Sequence, residues 1–126
     1  MEKGENGTIA TVLCTCPAER AGELSRAVVE GRLAACVNIV PEVTSVYRWK
    51  GELCEDRESL LIIKTASGRV GELTRRLVEL HPYDVPEVIA LEVGEGNPDY
   101  IQWVLESSFA GRNKTEKGPS KGPVNL

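Results

Sequence analysis

Apolar positions along this chain recur with a period of two in some stretches and of three to four in others, and the changes of period predict its elements. Residues 8–15, TIATVLCT, are short, β-branched and apolar, the pattern of a buried strand. Pro17 then suits the first turn of a helix and Glu19 favours its positive N-terminal end. Ala21, Leu24 and Val28 follow at helical spacing until Gly31, which predicts a helix over 18–30. Residues 35–48 are β-branched with little helical periodicity and are interrupted by Pro41. Residues 52–65 are their mate, and Lys50-Gly51 between the two reads as a two-residue hairpin turn. Val70, Leu73, Leu77 and Leu80 next form an apolar helical stripe, with Ser67 ahead of it as the expected cap. Residues 87–93, EVIALEV, predict a fourth strand. Asn97-Pro98-Asp99 opens a last helix with Ile101, Val104 and Leu105 on one face.

The order βαββαβ followed by a terminal helix predicts an α+β, ferredoxin-like fold, one antiparallel sheet covered on one face by helices. With right-handed crossovers, strand one lies antiparallel beside strand four. The end of strand one then meets the start of strand four. That puts Cys14 near Glu87, with the single histidine, His81, just upstream where the second helix ends. Cys36 begins strand two at the opposite end of the sheet, out of reach of His81 within one subunit.

The β2-β3 hairpin is long for so small a body. Two strands of about thirteen residues at ~3.3 Å each span about 43 Å, against a radius of gyration of about 13 Å for a domain of this size. The hairpin must protrude, and an uncovered ribbon carrying Val43, Val46, Tyr47 and Trp49 is marginal by itself and presents open edges. Another copy of the chain is its natural cover, so a homo-oligomer is expected.

At 126 residues and 41 % hydrophobic content the chain fits one domain with a real core, expected over 1–110. Charge is uneven along it. Arg112, Lys114, Lys117 and Lys121 against Glu116 give residues 111–126 a net +3, so 1–110 carries -7 of the total -4. The segment 111–126, rich in Gly, Pro and Lys, is expected to be a disordered basic tail. An acidic body argues against a nucleic-acid surface, which needs clustered Lys and Arg, and favours attraction of cations. No apolar run approaches the ~20 residues of a membrane span, and MEKGENGT lacks the apolar middle of a secretory signal. A soluble cytoplasmic protein is expected, with Cys14, Cys16, Cys36 and Cys54 as free thiols.

Any site that needs an imidazole must use His81. Cys14, His81 and Glu87 form a mixed thiolate, imidazole and carboxylate set that suits Cu(II) or Zn(II) better than magnesium or calcium. Each also has a structural reading. His81 precedes Pro82 and can end the second helix while bonding a carbonyl. Cys14 can be a small buried hydrophobe, and Glu87 can pair with Lys64 or an arginine. Cys36, in LAAC, reads as packing. Cys14-x-Cys16 is not a C-x-x-C pair and no second pair exists, so a structural zinc centre is not expected.

Three long words, RLAACVNIVPEVTSVYRWKGEL at 32–53, LLIIKT at 60–65 and HPYDVPE at 81–87, resemble the CutA family of divalent-cation tolerance proteins. The resemblance runs from about residue 8 to 109. It implies a homotrimer in which the long strands join the sheets edge to edge, and a role in copper tolerance or binding with Cys14 and His81 as ligands. Where some bacterial members carry a second histidine, this chain has Leu80. The expected function is therefore a non-enzymatic, metal-responsive trimer with no required cofactor. The alternative is a small-ligand sensor resembling PII-type signalling proteins, or a structural trimer. A sensor of that type would need cationic groups such as Lys64 or Arg48 in its cleft. An enzyme using Cys14 as nucleophile and His81 as base ranks last.

Overall fold

The computed structural model describes residues 7–108. The expected basic tail at 111–126 and the domain end at 110 lie outside the described residues. The elements run β1 (Ile9–Cys16), α1 (Ala18–Glu30), β2 (Cys36–Trp49), β3 (Glu52–Ala66), a 3-10 turn (Ser67–Arg69), α2 (Val70–Leu80), β4 (Val88–Glu92) and α3 (Pro98–Ser107). Each expected element is present, with ends shifted by a residue or so. The four strands form one antiparallel sheet in the order β2-β3-β1-β4.

Strand alternation decides which side chains meet the helices. Val12, Cys14 and Cys16 of β1 and Leu61 and Ile63 of β3 share one face and pack against Ala21, Leu24 and Val28 of α1 and Leu73 and Leu77 of α2. The opposite face carries Leu13, Leu60, Ile62, Ile89 and Leu91. Of these, Ile89 and Leu91 remain 52 % and 55 % exposed. Among the described residues only one end of that second face is covered, where α3 lays Val104 and Leu105 on Ile9 and Ala66. Asn97 caps α3 by accepting the Asp99 N–H at 3.1 Å, with Pro98 at its first turn, as the sequence predicts.

The cap expected from Ser67 is not made. The chain enters α2 through the 3-10 turn, Arg69 holds the cap position in helical conformation, and no side chain caps the helix. Ser67 is instead drawn across the sheet end, donating to Glu92 Oε1 at 2.8 Å and accepting from Thr8 Oγ1 at 2.9 Å. At the hairpin, Lys50 and Gly51 both take positive φ (51° and 82°), as a two-residue turn that matches strand twist requires. Pro41 falls in a bulge between Val40 and Val43, where Ser59 Oγ donates to its carbonyl at 2.8 Å. Below the bulge the hairpin belongs to the sheet; above it, the hairpin is a free two-stranded ribbon.

Leu61→Ala, at a fully buried position, is expected to cost about 2–5 kcal/mol of unfolding free energy. Gly51→Ala, strained only through its backbone because nothing lies near a Cβ there, is expected to cost about 1 kcal/mol. Urea denaturation of the two variants measures both.

Candidate functional site

β1 ends where the segment between α2 and β4 begins, and Thr15 is where they meet. α2 stops at Leu80, whose carbonyl accepts from Arg20 Nη2 of α1 at 2.8 Å, and His81 leaves the helix in extended conformation ahead of Pro82. The His81 ring is buried between two fixed partners. Nε2 lies 2.8 Å from the Thr15 carbonyl, which only accepts, and Nδ1 lies 3.2 Å from the Tyr83 N–H, which only donates. These two partners match the tautomer that carries its proton on Nε2. The Tyr83 ring packs beside it, centroid to centroid 4.6 Å.

Cys14 reaches the same carbonyl from the helix-covered face, its Sγ 3.8 Å from Thr15 O, and is fully buried. Burial, and then the neighbouring Cys16, Glu87 and Glu58, push its thiol up to about 12. Glu87 is exposed and sits on the other side, its Oε1 3.5 Å from the Thr15 hydroxyl. The structure thus brings Cys14, His81 and Glu87 to one residue, as the topology predicts, but to different atoms of it. Among the described residues no three His, Cys, Asp or Glu side chains converge as a metal-holding group. With both His81 nitrogens engaged and the Cys14 thiol protonated in the core, this set does not fit a copper or zinc ion as folded. Cys36 is remote, aligned with Lys64 and packed with Tyr100 near α3. Cys54 is half-exposed on the ribbon.

What the same loop builds is a cleft of about 570 Å³ on the helix-free side. Register puts Ser45, Tyr47 and Trp49 of β2 and Asp56 and Glu58 of β3 on one ribbon face, and Tyr83, Asp84 and Glu87 close the far wall. Tyr83 Oη donates to Glu58 Oε1 at 3.0 Å and ties loop to ribbon, while Tyr47 donates to Asp56. Glu58 is only 7 % exposed and makes no ion pair among the described residues. The hydrogen bond to Asp56 is the main cause that raises Tyr47 to about 12. Burial, then the bond to Glu58, raises Tyr83 well above the usual phenol range. Both rings therefore stay protonated and neutral. Among the described residues the lining holds four carboxylates, Asp56, Glu58, Asp84 and Glu87, and no lysine, arginine or histidine.

Of this cleft, sequence names only Glu87 as a candidate site residue, while Val46, Tyr47 and Trp49 read as the apolar surface of the ribbon. Tyr83 stood inside the HPYDVPE word, and the parity of positions 47, 49, 56 and 58 about the Lys50-Gly51 turn was the available signal for the rest. Glu58 and Tyr83, 25 residues apart, meet only through the fold.

Residues 10–107 match the model of the CutA1 divalent ion tolerance proteins. The chain belongs to that family. It is 54 % identical over 99 residues to Protein CutA of Mus musculus, covering 78 % of this chain and 56 % of that one. It is 51 % identical over 98 residues to the divalent-cation tolerance protein CutA of Thermus thermophilus, covering 77 % and 95 %. The chain thus spans little more than half the length of the mouse relative but nearly all of the Thermus one. Among solved structures, CutA1 from Oryza sativa superposes with a TM-score of 0.79 at 42 % identity, over 82 % of this chain and 96 % of that one. The family shares the four-stranded sheet and its flanking helices.

The thiol environment carries a pH dependence. The folded state raises Cys14 from its ordinary 9.0 to about 12 and Cys16 to about 11, burial being the first cause for each, so it keeps protons that the unfolded chain releases. Stability from this source is complete below pH 9 and falls as pH rises from 9 toward 12. Denaturation midpoints measured across that range are expected to decline, and to decline less in Cys14→Ala.

Proposed function

We propose that this chain works as a non-enzymatic homotrimer in the cytoplasm that engages divalent cations through its acidic cleft, contributing to divalent-cation tolerance as the family's name describes. The observation that carries the cation reading is the lining of the cleft, four carboxylates with no cationic side chain among the described residues. Such a concave acidic surface concentrates cations and repels anions, which removes support from the alternative reading as a sensor of anionic ligands. With Cys14 and His81 committed elsewhere, the donors are oxygen only. That moves the preference away from copper and zinc toward magnesium, calcium or manganese, with zinc held only loosely and water completing the shell.

Homotrimerisation is supported by unfinished surfaces. β2 is an edge strand, the ribbon exposes Val46 and Leu53, and the helix-free face leaves Ile89 and Leu91 in water. A non-enzymatic role is supported by His81, whose ring has no nitrogen free to act as a base. The cytoplasmic assignment is supported by four free cysteines. No helix among the described residues is long and apolar enough to cross a membrane.

Light scattering at micromolar concentration is expected to give about three times 13.7 kDa. A folded monomer there would remove the trimer. In calorimetry, Zn(II) is expected to bind weakly to the parent, equally to His81→Ala provided that variant keeps its circular dichroism spectrum, and more weakly to Glu87→Gln. Zinc binding lost in a folded His81→Ala but retained in Glu87→Gln would return the site to the histidine.

A further inference from the structure

We infer that the β2-β3 ribbon joins copies of this chain head to tail, its basic face packing on the acidic, aromatic face of the next copy, so that Arg48 of the partner subunit meets Asp56. This rests on the homotrimer reading and goes further by naming the two faces that meet and the residue that the partner contributes.

The first support is the charge pattern that register imposes on the ribbon. Above the Pro41 bulge, Val43, Ser45, Tyr47 and Trp49 stand opposite Glu58, Asp56, Cys54 and Glu52 on one face, which carries three carboxylates and no lysine or arginine. The other face sets Thr44 against Arg57, Val46 against Glu55 and Arg48 against Leu53, two arginines to one carboxylate. Alternation along each strand holds the two sets on opposite sides of the ribbon. An acidic face repels a copy of itself and attracts the basic one, which disfavours a twofold contact of like with like.

The second support is that both faces near the tip are unfinished within one chain. Arg48 is exposed and makes no ion pair among the described residues, and Arg57 reaches only Glu42, at 3.7 Å in open solvent. Beside them Val46 and Leu53 stand 61 % and 73 % exposed, while Tyr47 and Trp49 on the acidic face are 41 % exposed each. Aromatic rings and arginines surrounded by apolar surface are the composition of a protein interface. A guanidinium brought to Asp56 lies beside these rings, whose faces attract it, and its aliphatic stem covers them together with Val46 and Leu53.

The third support is how the ribbon is held. The 81–87 loop reaches the acidic face at Glu58 through Tyr83 and leaves Glu52 and Asp56, nearer the tip, exposed. Both faces are therefore presented at once. A contact between two different faces is heterologous, so each added copy again offers one acidic and one basic face until a ring closes. The pairing takes ribbon carboxylates and leaves Asp84 and Glu87, on the loop wall of the cleft, to a divalent ion.

The test is charge exchange in the intact chain, read by light scattering on dilution from micromolar to nanomolar concentration, with circular dichroism as the check of fold. Arg48→Glu and Asp56→Lys, both at exposed positions, are each expected to raise the concentration at which trimers dissociate about tenfold. The double variant is expected to recover most of that loss, because the exchanged charges meet again across the contact. Arg48→Gln removes the charge, keeps a polar stem and is expected to weaken the trimer in the same direction, which keeps the test decisive where a reversed charge fails to fold. Trimers of Arg48→Gln or Arg48→Glu that dissociate as the parent does overturn the inference and leave the trimer standing. A double variant as weak as the two single losses combined overturns it too. A parent that is a folded monomer at micromolar concentration overturns the trimer reading and this inference together.

Discussion

The structure hangs on β1 being paired along both edges. Its eight residues form an antiparallel ladder with β3 from Ile9 opposite Ala66 to Cys16 opposite Ser59, and with β4 from Ala10 opposite Glu92 to Cys14 opposite Val88. A one-residue slip would turn Val12, Cys14 and Cys16 away from α1 and α2 and bury Thr11 and Thr15 in their place, so the core fixes the register. That register in turn leaves Thr15 just beyond the last β4 pairing, its carbonyl free for His81 and its hydroxyl on the cleft side. The loop from α2 to β4 is thus docked by the same ladder that organises the core.

His81 acts in this setting as a joint. It receives from the loop backbone through Nδ1 and gives to β1 through Nε2, and the ring of Tyr83 lies against it. Tyr83 then extends the connection to Glu58 on β3. An imidazole suits this position because one ring offers a donor and an acceptor on opposite sides, which neither an amine nor a carboxylate does. The chain's single histidine is taken up in shaping the cleft.

Negative charge in the cleft has visible effects on its neighbours. Glu58 and Glu87 add to the burial that raises the Cys14 thiol, and Asp56 and Glu58 raise the two phenols. Each of these groups responds by keeping its proton, so the cleft does not accumulate further charge. In packing, the ribbon above the Pro41 bulge and the helix-free face of the sheet both end in apolar side chains that no other described residue covers.

Local chemistry by itself determined the elements and their order. A period of two or of three to four residues reflects which side chains an element buries. Lys50-Gly51 and Asn97-Pro98 act through their own backbones, so both were legible before any contact was known. Topology alone also carried Cys14, His81 and Glu87 to one corner, because right-handed crossovers leave few arrangements of these strands. Tertiary structure decided what the corner does. Whether the His81 nitrogens are free depends on the Thr15 carbonyl 66 residues away and on the backbone of Tyr83, and whether Cys14 ionises depends on its burial beneath two helices. Ser67 went to Glu92 rather than to its own helix for the same reason, since a short polar side chain takes whichever partner the fold brings within 3 Å. The pairing of Glu58 with Tyr83 likewise has no local signature, because a sequence pattern records which face a residue is on and not which atom it meets there.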